Sequence, residues 1–496
     1  MERSSGILLH PTSLPGRYGI GTLGKEARAF IDFLAEAKQK YWQILPLGPT
    51  GFADSPYQCF SANAGNPLLI DPEILVSEGW LEGGDIEPLK ESHDVKIDYG
   101  KVIRSRVPVL KKASEAFHAK AGKQEKDQYY QFLDVNSAWI LDYALFMALK
   151  EHFGLQPWYQ WEKPFKLKEE QAVKSLFAQL HEKIEYQKFI QYIFFRQWKS
   201  LKDYAHGRNI KIIGDIPLYV ALDSVDAWAG PGNFQFDKDK NPVAVGGVPP
   251  DYFSKTGQLW GNPLYNWSQM ARDGYKWWIR RIKANLELYD MIRIDHFRGL
   301  AAYWSVPYGE KTAVKGEWIN CPGKELLTAI QKELGDIPVI AEDLGVITPD
   351  VQDLRDSFKL PGMKILQFAF DSGEPNDFLP HNFTRNCVVY TGTHDNETIA
   401  GWFSNAKEKD RKYVLDYMNV SGEEIHWDFI RLAWASTARI AIVPMQDLLG
   451  LDNEARMNFP GTTERNWMWR LRASQLTNKL TKRLEHLTVL YERHGK

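Results

Sequence analysis

Lys211-Ile-Ile-Gly-Asp215 is a short, almost continuous run of apolar residues that ends in an acid. Val339-Ile-Ala-Glu-Asp343 repeats this pattern later in the chain. Runs without polar alternation are typical of parallel strands buried on both faces. A charged residue at the end of a buried strand is costly unless it is paired or functional. The two stretches therefore predict a parallel sheet that carries acidic groups at its carboxyl edge.

Six further β-rich runs surround these two. The eight runs are Gly6–His10, Tyr41–Leu47, Ile210–Val220, Met291–Gly299, Ile337–Gly345, Met363–Phe370, Cys387–Thr393 and Ile440–Gly450. Helical patterns between or after them span Gly24–Lys40, Tyr275–Leu288, Lys324–Leu334, Trp427–Ala438 and Asn466–Arg493. Strands that alternate with helices indicate βαβ units. We predict an α/β protein, a single (β/α)8 TIM barrel over residues 1–496, rather than an open doubly wound sheet. No Gly-x-Gly-x-x-Gly follows the first run, which weakens that alternative.

Two intervals are too long for one crossover each. The interval between the second and third runs contains helical patterns at Val102–Lys120, Ser137–His152 and Glu169–Asp203. It predicts a mainly helical inserted subdomain over residues 66–195 on the catalytic side of the barrel. Residues 221–266 are rich in Gly, Pro and aromatic residues and show little periodicity. We expect them to form a loop insertion after the third strand, over the active site.

Composition narrows the class of protein. The chain has 496 residues, a hydrophobic share of 44% and a net charge of −2, which gives no sign of a nucleic-acid partner. Its three cysteines are far apart, which argues against a disulfide framework and fits a reducing cytosol. Neither a signal peptide nor a membrane-length apolar stretch is apparent. These features predict a cytoplasmic protein.

Acidic residues end several of the predicted strands. Asp215 ends the third, Asp295 the fourth and Glu342 the fifth, and Asp395 follows the seventh. Barrel enzymes place catalysis at the carboxyl ends of their strands. Each acid taken singly is equally well explained as a helix cap or as part of a structural ion pair. Four strand ends together favour a catalytic site.

The spacing of these residues suggests different chemical roles for two of the carboxyl groups. Arg293 and Asp295 are two apart, so both face one side of a strand, and the guanidinium would keep Asp295 ionised. Glu342 would then need a raised pKa in order to protonate a leaving oxygen. Such a pair is typical of glycosidases, and its separation decides between retention and inversion.

His394 and Asp395 form a further candidate pair. Two adjacent polar side chains of this kind are suited to hydrogen bonding with neighbouring sugar hydroxyls. The alternatives are a metal-ligand pair or a structural bond. No other His lies at ligand spacing, so we expect no metal site.

Longer motifs carry a family resemblance. The strand-end motifs Arg293-Ile-Asp-His-Phe-Arg-Gly, Ala341-Glu-Asp-Leu-Gly and Thr393-His-Asp-Asn-Glu-Thr resemble those of the α-amylase clan. The chain is most similar to the amylomaltase, or 4-α-glucanotransferase, family. Further stretches that resemble this family are His10-Pro-Thr-Ser-Leu-Pro-Gly, Leu45-Pro-Leu-Gly-Pro-Thr-Gly, Ser55-Pro-Tyr, Gly247-Val-Pro-Pro-Asp-Tyr-Phe-Ser, Gly257-Gln-Leu-Trp-Gly-Asn-Pro-Leu-Tyr and Asn458-Phe-Pro-Gly-Thr. They cover essentially the whole chain.

The resemblance implies a role for each site residue. Asp295 would be the nucleophile, Glu342 the acid/base and Asp395 the transition-state stabiliser. The implied substrate-binding residues are Ser55, Tyr57, Asp215, Tyr252, Phe253, Trp260, Asn262, Arg293 and His394. For Tyr57 and Trp260 the alternative is core packing, but each lies in a Gly/Pro-rich loop, which favours a functional role. Residues 245–258 resemble a loop that arches over the cleft and favours an acceptor sugar over water.

The implied activity is a 4-α-glucanotransferase reaction. An α-1,4-glucan segment would pass with retention from a maltooligosaccharide to the 4-OH of glucose or another glucan, through a covalent glycosyl-enzyme. The resemblance implies no metal and no cofactor, only glucan partners, no nucleic acid or membrane, and a monomer. An α-glucan hydrolase, a noncatalytic glucan-binding protein and a barrel lyase or isomerase are the alternatives.

Overall fold

All eight apolar runs form strands of one parallel sheet. The computed structural model describes residues 2–91, 95–250, 254–371 and 376–495. Within these ranges lie twelve strands: β1 (Ser4–Leu8), β2 (Tyr41–Gln43), β3 (Lys211–Ile216), β4 (Ala244–Val248), β5 (Gln258–Pro263), β6 (Met291–Ile294), β7 (Ala302–Pro307), β8 (Glu317–Asn320), β9 (Val339–Ala341), β10 (Gly362–Ile365), β11 (Cys387–Tyr390) and β12 (Ile440–Pro444). The main sheet has the order β10-β11-β12-β1-β2-β3-β6-β9. The predicted α/β barrel is confirmed.

The barrel is nearly closed where β9 meets β10. The backbone N–H of Ala341 donates to the carbonyl of Pro361 at 2.9 Å. Asp343, just after β9, accepts a hydrogen bond from the Met363 N–H of β10 at 2.7 Å. The two end strands of the sheet are therefore joined by hydrogen bonds as well as by packing.

The described residues also contain nineteen α-helices. They are α1 (Lys25–Glu36), α2 (Pro72–Ser77), α3 (Gly83–Ile86), α4 (Tyr99–Lys120), α5 (Lys123–Val135), α6 (Ile140–His152), α7 (Lys163–Lys166), α8 (Glu170–Phe177), α9 (His181–His206), α10 (Val225–Ala229), α11 (Trp267–Arg272), α12 (Lys276–Leu288), α13 (Gly323–Leu334), α14 (Pro349–Ser357), α15 (Ile399–Asn405), α16 (Glu408–Met418), α17 (Ile425–Ala435), α18 (Met445–Leu448) and α19 (Asn478–Leu490). Amphipathic helices cover the barrel. Phe30 of α1, for example, packs edge-on against Trp42 of β2 with ring centroids 5.3 Å apart.

The predicted long helix over Asn466–Arg493 is wrong in its first half. The only α-helix among these described residues is α19, with Thr477 capping its N-terminus, and a short 3-10 turn at Ala473–Gln475 precedes it. The preceding segment is pinned by contacts with distant parts of the chain. Trp467 N–H bonds to the Met457 carbonyl at 2.7 Å, and Leu471 N–H bonds to the Ser13 carbonyl at 2.9 Å. These bonds use backbone groups that a continuous helix would need for itself.

Helices α2 to α9 fill the long interval between β2 and β3. Buried side-chain amides of α9 tie the last helix of the interval to its first part. Gln191 accepts from the N–H of Gly65 at 2.8 Å and donates to its carbonyl at 2.9 Å, and Gln197 accepts from the N–H of Asp71 at 2.7 Å. The subdomain boundaries 66–195 stay a prediction, as does the role of residues 221–266 as a loop over the site.

Residues 221–266 contain regular structure that the sequence did not suggest. β4 and β5 pair with β7 and β8 in a four-stranded antiparallel sheet of order β5-β4-β7-β8. Gly247 of β4 is paired with Leu259 on one side and Trp304 on the other. A glycine at this central position hides the period-2 alternation, and half of the sheet comes from strands outside the interval.

No single helix among the described residues is long and apolar enough to cross a membrane. Helices α5 and α6 reach that length and composition only together, and a 95° bend lies between them.

Candidate active site

The register of the barrel places the strand-end residues side by side. Asp215 on β3 is paired with Arg293 on β6, and Ile294 is paired with Ala341 on β9. Asp295 and Glu342 are the next residues of these two neighbouring strands. Their backbone N–H groups continue the ladder, with Asp295 donating to Ile216 at 2.9 Å and Glu342 donating to Ile294 at 3.1 Å. Backbone pairing thus brings three predicted acids and Arg293 together at the carboxyl edge of the sheet.

Arg293 links two of these acids. One guanidinium nitrogen lies 2.7 Å from Asp215 Oδ2 and 3.0 Å from Asp295 Oδ1. The side chains of Arg293 and Asp215 are 5% and 0% exposed, whereas that of Asp295 is 29% exposed. Burial opposes the charge of Arg293, but the two carboxylates outweigh it and hold the pKa of Arg293 well above its usual range. Asp295 is thus both paired with a permanent cation and open to the cleft.

Glu342 lies in a different environment. It is 9% exposed, and burial raises the pKa of Glu342 well above its usual range, with Arg293 opposing and Asp295 adding to the shift. Its Oε2 accepts from the His296 N–H at 2.6 Å, and its Oε1 accepts from the Leu344 N–H at 3.0 Å. His296 makes the first bond from a left-handed backbone with φ 51°. These two bonds fix the position of Glu342, while its burial favours the protonated form.

His394 and Asp395 follow β11 and lie on a loop. His394 Nε2 is 3.4 Å from Asp395 Oδ1, and the Asp395 side chain is 46% exposed. Two residues from the segment after β12 support Asp395. Asn458 Nδ2 donates to Asp395 Oδ1 at 2.6 Å, and Arg456 donates to the Asp395 carbonyl at 2.6 Å.

Tyr57 connects the strand-end acids to this loop. Its O–H donates to Asp215 Oδ2 at 2.7 Å. Its ring stacks on His394 with centroids 5.1 Å apart and an interplanar angle of 16°, and it lies 5.9 Å from the Trp467 ring. Ser55 Oγ accepts from the Tyr57 N–H at 3.2 Å, which holds the turn before the ring. The structure thus brings Ser55, Tyr57 and Asp215 into one cluster with His394.

Two further predicted residues, Trp260 and Asn262, lie on β5 of the four-stranded sheet. Trp260 packs edge-on against His296, with ring centroids 4.8 Å apart, so it lies beside the residue that follows Asp295. Asn262 is buried, and its amide donates to the Val220 carbonyl at 2.7 Å, which ties β5 to the segment after β3. Tyr252 and Phe253 lie outside the described residues.

Sequence reasoning missed four residues that shape this site. Asn458 and Arg456 hold Asp395, Trp467 packs against Tyr57 and His394, and His296 binds Glu342 through its backbone. Asn458 begins the motif Asn458-Phe-Pro-Gly-Thr, but nothing in the sequence spacing relates this residue to Asp395. Among the described residues, no group of three or more His, Cys, Asp or Glu side chains is arranged to hold a metal ion.

A family model described as 4-alpha-glucanotransferase matches residues 9–477. The chain belongs to the 4-alpha-glucanotransferase family. The 4-alpha-glucanotransferase of Synechocystis sp. is 51% identical, with 99% of this chain and 98% of that protein covered. The 4-alpha-glucanotransferase of Thermus thermophilus is 48% identical, with 99% of both covered.

A solved structure supports the same assignment. The amylomaltase from Streptococcus agalactiae in complex with acarbose superposes with a TM-score of 0.97 at 43% identity, and the match covers 100% of both chains. The expected family and the expected barrel fold are therefore confirmed.

Proposed function

We propose that this member of the family transfers an α-1,4-glucan segment with Asp295 as nucleophile, Glu342 as acid/base and Asp395 as transition-state stabiliser. The carrying observation is the contrast between Asp295, 3.0 Å from Arg293, and the buried Glu342, whose pKa is raised. The two carboxyls follow paired residues of neighbouring strands. Such strands are about 4.8 Å apart, which suits the ~5 Å separation of a retaining pair.

The first step forms a glycosyl-enzyme. The Asp295 carboxylate attacks the anomeric carbon of the donor glucose, and the bond from that carbon to the glycosidic oxygen breaks. Glu342 gives its proton to that oxygen as the shortened glucan leaves. Arg293 lies 3.0 Å from Asp295 Oδ1, so its charge pairs with the attacking carboxylate and orients it.

The second step repeats this chemistry in reverse. The Glu342 carboxylate removes the proton of an acceptor 4-OH, and that oxygen attacks the anomeric carbon. The ester bond to Asp295 breaks, and an α-1,4 bond forms with net retention. One glycosidic bond is broken and a like bond is made, so the reaction requires no energy source.

The other polar residues would hold the reacting sugar. His394 and Asp395 are suited to its hydroxyl groups, and contacts that tighten in the transition state lower the barrier. Tyr57 and Asp215 would line the same subsite, supported by Ser55. Trp260 offers an aromatic face to a neighbouring glucose. The hydrogen bond from Asn262 to Val220 suits a positioning role. Tyr252 and Phe253 stay predictions from the resemblance.

We further propose that the chain works as a cytoplasmic monomer with glucans as its partners. Its three cysteines, Cys59, Cys321 and Cys387, are unpaired, as expected for a reducing compartment. The net charge of −2 gives no electrostatic reason for nucleic-acid binding. Light scattering of the purified chain would test the oligomeric state, with the mass of one 57.1 kDa chain as the expected result.

Incubation with maltotriose tests the activity. Products are resolved by size while free glucose and total reducing ends are counted. Transfer yields shorter and longer maltooligosaccharides at a constant total of reducing ends. Growth in reducing ends without longer products would instead make the chain a hydrolase with the same site. Absence of any product, even with longer donors and added glucose, would contradict the catalytic assignment.

A further inference from the structure

Residues 392–398, named here the Asp395 turn, carry both His394 and Asp395 between β11 and α15. Thr391, just before this turn, and Ile399, just after it, both donate a hydrogen bond to the buried carboxylate of Asp447 on α18. We infer that Asp447 is a positioning residue for the transfer reaction, which fixes the Asp395 turn by accepting hydrogen bonds at both of its ends. The inference rests on the proposed roles of His394 and Asp395.

The contacts are short and fully enclosed. Thr391 Oγ1 donates to Asp447 Oδ2 at 2.6 Å, and the Ile399 N–H donates to Asp447 Oδ1 at 2.7 Å. Asp447 is 2% exposed, and Thr391 and Ile399 are 0% exposed. Each carboxylate oxygen is used as an acceptor, which is the pattern that an ionised Asp satisfies best.

Neighbouring amides support the second end of the turn. Asn453 Oδ1 accepts from the Thr398 N–H at 3.2 Å, and its Nδ2 donates to Glu397 Oε1 at 2.6 Å. Gln367 Nε2 donates to the Glu397 carbonyl at 2.6 Å. These bonds hold residues 397 and 398, whereas Asp447 reaches both Thr391 and Ile399 and so sets the span of the turn.

The charge of Asp447 matters for this arrangement. If it were protonated, the added hydrogen would either displace the bond from Thr391 or Ile399 or lack an acceptor in this buried site. Asp447 borders a cavity beside the Asp395 turn. The other charged or titratable side chains that line this cavity are His10, His394, Glu397 and Arg456. Burial raises the pKa of Asp447 to about 6, while the bonds from Thr391 and Ile399 lower it. The arrangement is therefore intact above that pH and weakened below it.

The variant Asp447→Asn tests this inference, because Asn copies the shape of the neutral acid. The turnover of maltotriose is measured for wild type and variant from about pH 5 to about pH 8, with circular dichroism to confirm folding. Loss of one charge-assisted bond predicts a deficit of about tenfold or more near pH 8. The ratio of wild type to variant should shrink towards one near pH 5, where Asp447 is neutral in both the folded wild type and its Asn mimic. A ratio that is one throughout, or equally large throughout, would overturn the inference.

A second pair of variants covers the case in which Asp447→Asn does not fold. Thr391→Val removes the hydroxyl donor, which raises the pKa of Asp447 and moves the acid limb of the turnover profile to higher pH. Thr391→Ser keeps the donor and should restore the wild-type limb. Identical limbs for the two variants would reject the positioning role.

Two controls separate this inference from the proposed function. Asp428→Asn changes a carboxyl on the outer helix α17 whose pKa is also raised by burial, and it should leave the turnover profile unchanged. Asp395→Asn should abolish most of the activity. If Asp395→Asn keeps its activity, the proposed function fails. If Asp395→Asn loses activity while Asp447→Asn and Thr391→Val both behave as wild type, only the inference about Asp447 fails.

Discussion

Two parts of the site differ in how they are held. Asp215, Arg293, Asp295 and Glu342 lie on strands or directly after them, and the register of neighbouring strands sets their spacing. Asp395 and its neighbours lie on loops, where the positioning groups come from far along the chain. The Asn458 amide that fixes Asp395 is 63 residues away. Bond-making groups are thus placed by the barrel, and sugar-holding groups by contacts between its loops.

The two parts also differ in solvent access. Glu342 is 9% exposed, whereas the side chain of Asp395 is 46% exposed. Changes among the strand-end residues should therefore reduce both stability and catalysis, because they leave a buried charge without a partner. Changes around Asp395 should reduce catalysis and leave stability nearly intact, because water can replace a lost bond there. The following variants test that contrast.

The largest effect is expected for Glu342→Gln. Loss of the general acid should lower turnover of maltotriose by about 10²–10⁴-fold. An α-maltosyl fluoride donor releases fluoride without needing a proton, so fluoride release in the first turnover should fall far less. An equal loss on both donors would contradict the acid role of Glu342.

Arg293→Lys should have the next largest effect. A lysine ammonium cannot bridge Asp215 and Asp295 as the guanidinium does, and one lost charge-assisted bond is worth about 1.5–3 kcal/mol. We expect turnover to fall by about 10–100-fold and the free energy of unfolding in urea to fall by a similar energy. Arg385→Lys, at an exposed position, is the matched control and should change neither quantity. A loss of activity without any loss of stability would contradict the expectation that changes among the strand-end residues lower both.

Asn458→Ala should affect turnover alone. It removes the 2.6 Å bond to Asp395 Oδ1, and we expect about a tenfold lower turnover of maltotriose. The unfolding midpoint should stay close to that of the wild type because Asp395 is half exposed. Asn386→Ala removes an exposed amide elsewhere and serves as the control. A large fall in the unfolding midpoint would show that this loop is as integral to the fold as the strand ends are.

Tyr57→Phe should have the smallest effect. The ring remains stacked on His394, and the lost O–H bond of about 1 kcal/mol predicts a reduction of about fivefold in turnover. Burial raises the pKa of Asp215, and the Tyr57 O–H lowers it, so its removal raises that pKa further. Ionised Asp215 is then lost at a higher pH as the pH falls, and the acid limb of the turnover profile should move upward. Tyr130→Phe, at an exposed position of α5, should leave that limb in place. A limb that is the same in both variants would exclude a contribution of Asp215 to it.

The strand-end acids were predictable because their signal is local. A run of buried apolar residues followed by Asp or Glu specifies both the strand and the point at which it emerges. All eight runs therefore became barrel strands. The four-stranded sheet was not predictable in this way, since Gly247 interrupts the alternation and its partner Trp304 comes from another part of the chain.

Long-range contacts also explain the prediction that is wrong. The apolar spacing of Asn466–Arg493 is compatible with a helix, but bonds to Met457 and Ser13 hold the segment before α19 in an irregular path along the barrel. This path brings the Trp467 ring against His394. Tertiary contacts outweigh the intrinsic preference of such a segment because helix propensity amounts to only a fraction of a kcal/mol per residue, roughly 0.7 or less for ordinary residues.

By itself, the sequence determined the barrel, the family and the acids at its carboxyl edge, because each depends on neighbours close in the chain or on long motifs. Only the tertiary structure decided the contrasting environments of Asp295 and Glu342, the support of Asp395 by Asn458 and the double anchorage of the Asp395 turn by Asp447. The physical reason is that burial and hydrogen bonding, which set the pKa and orientation of a side chain, depend on which distant segments the fold brings together.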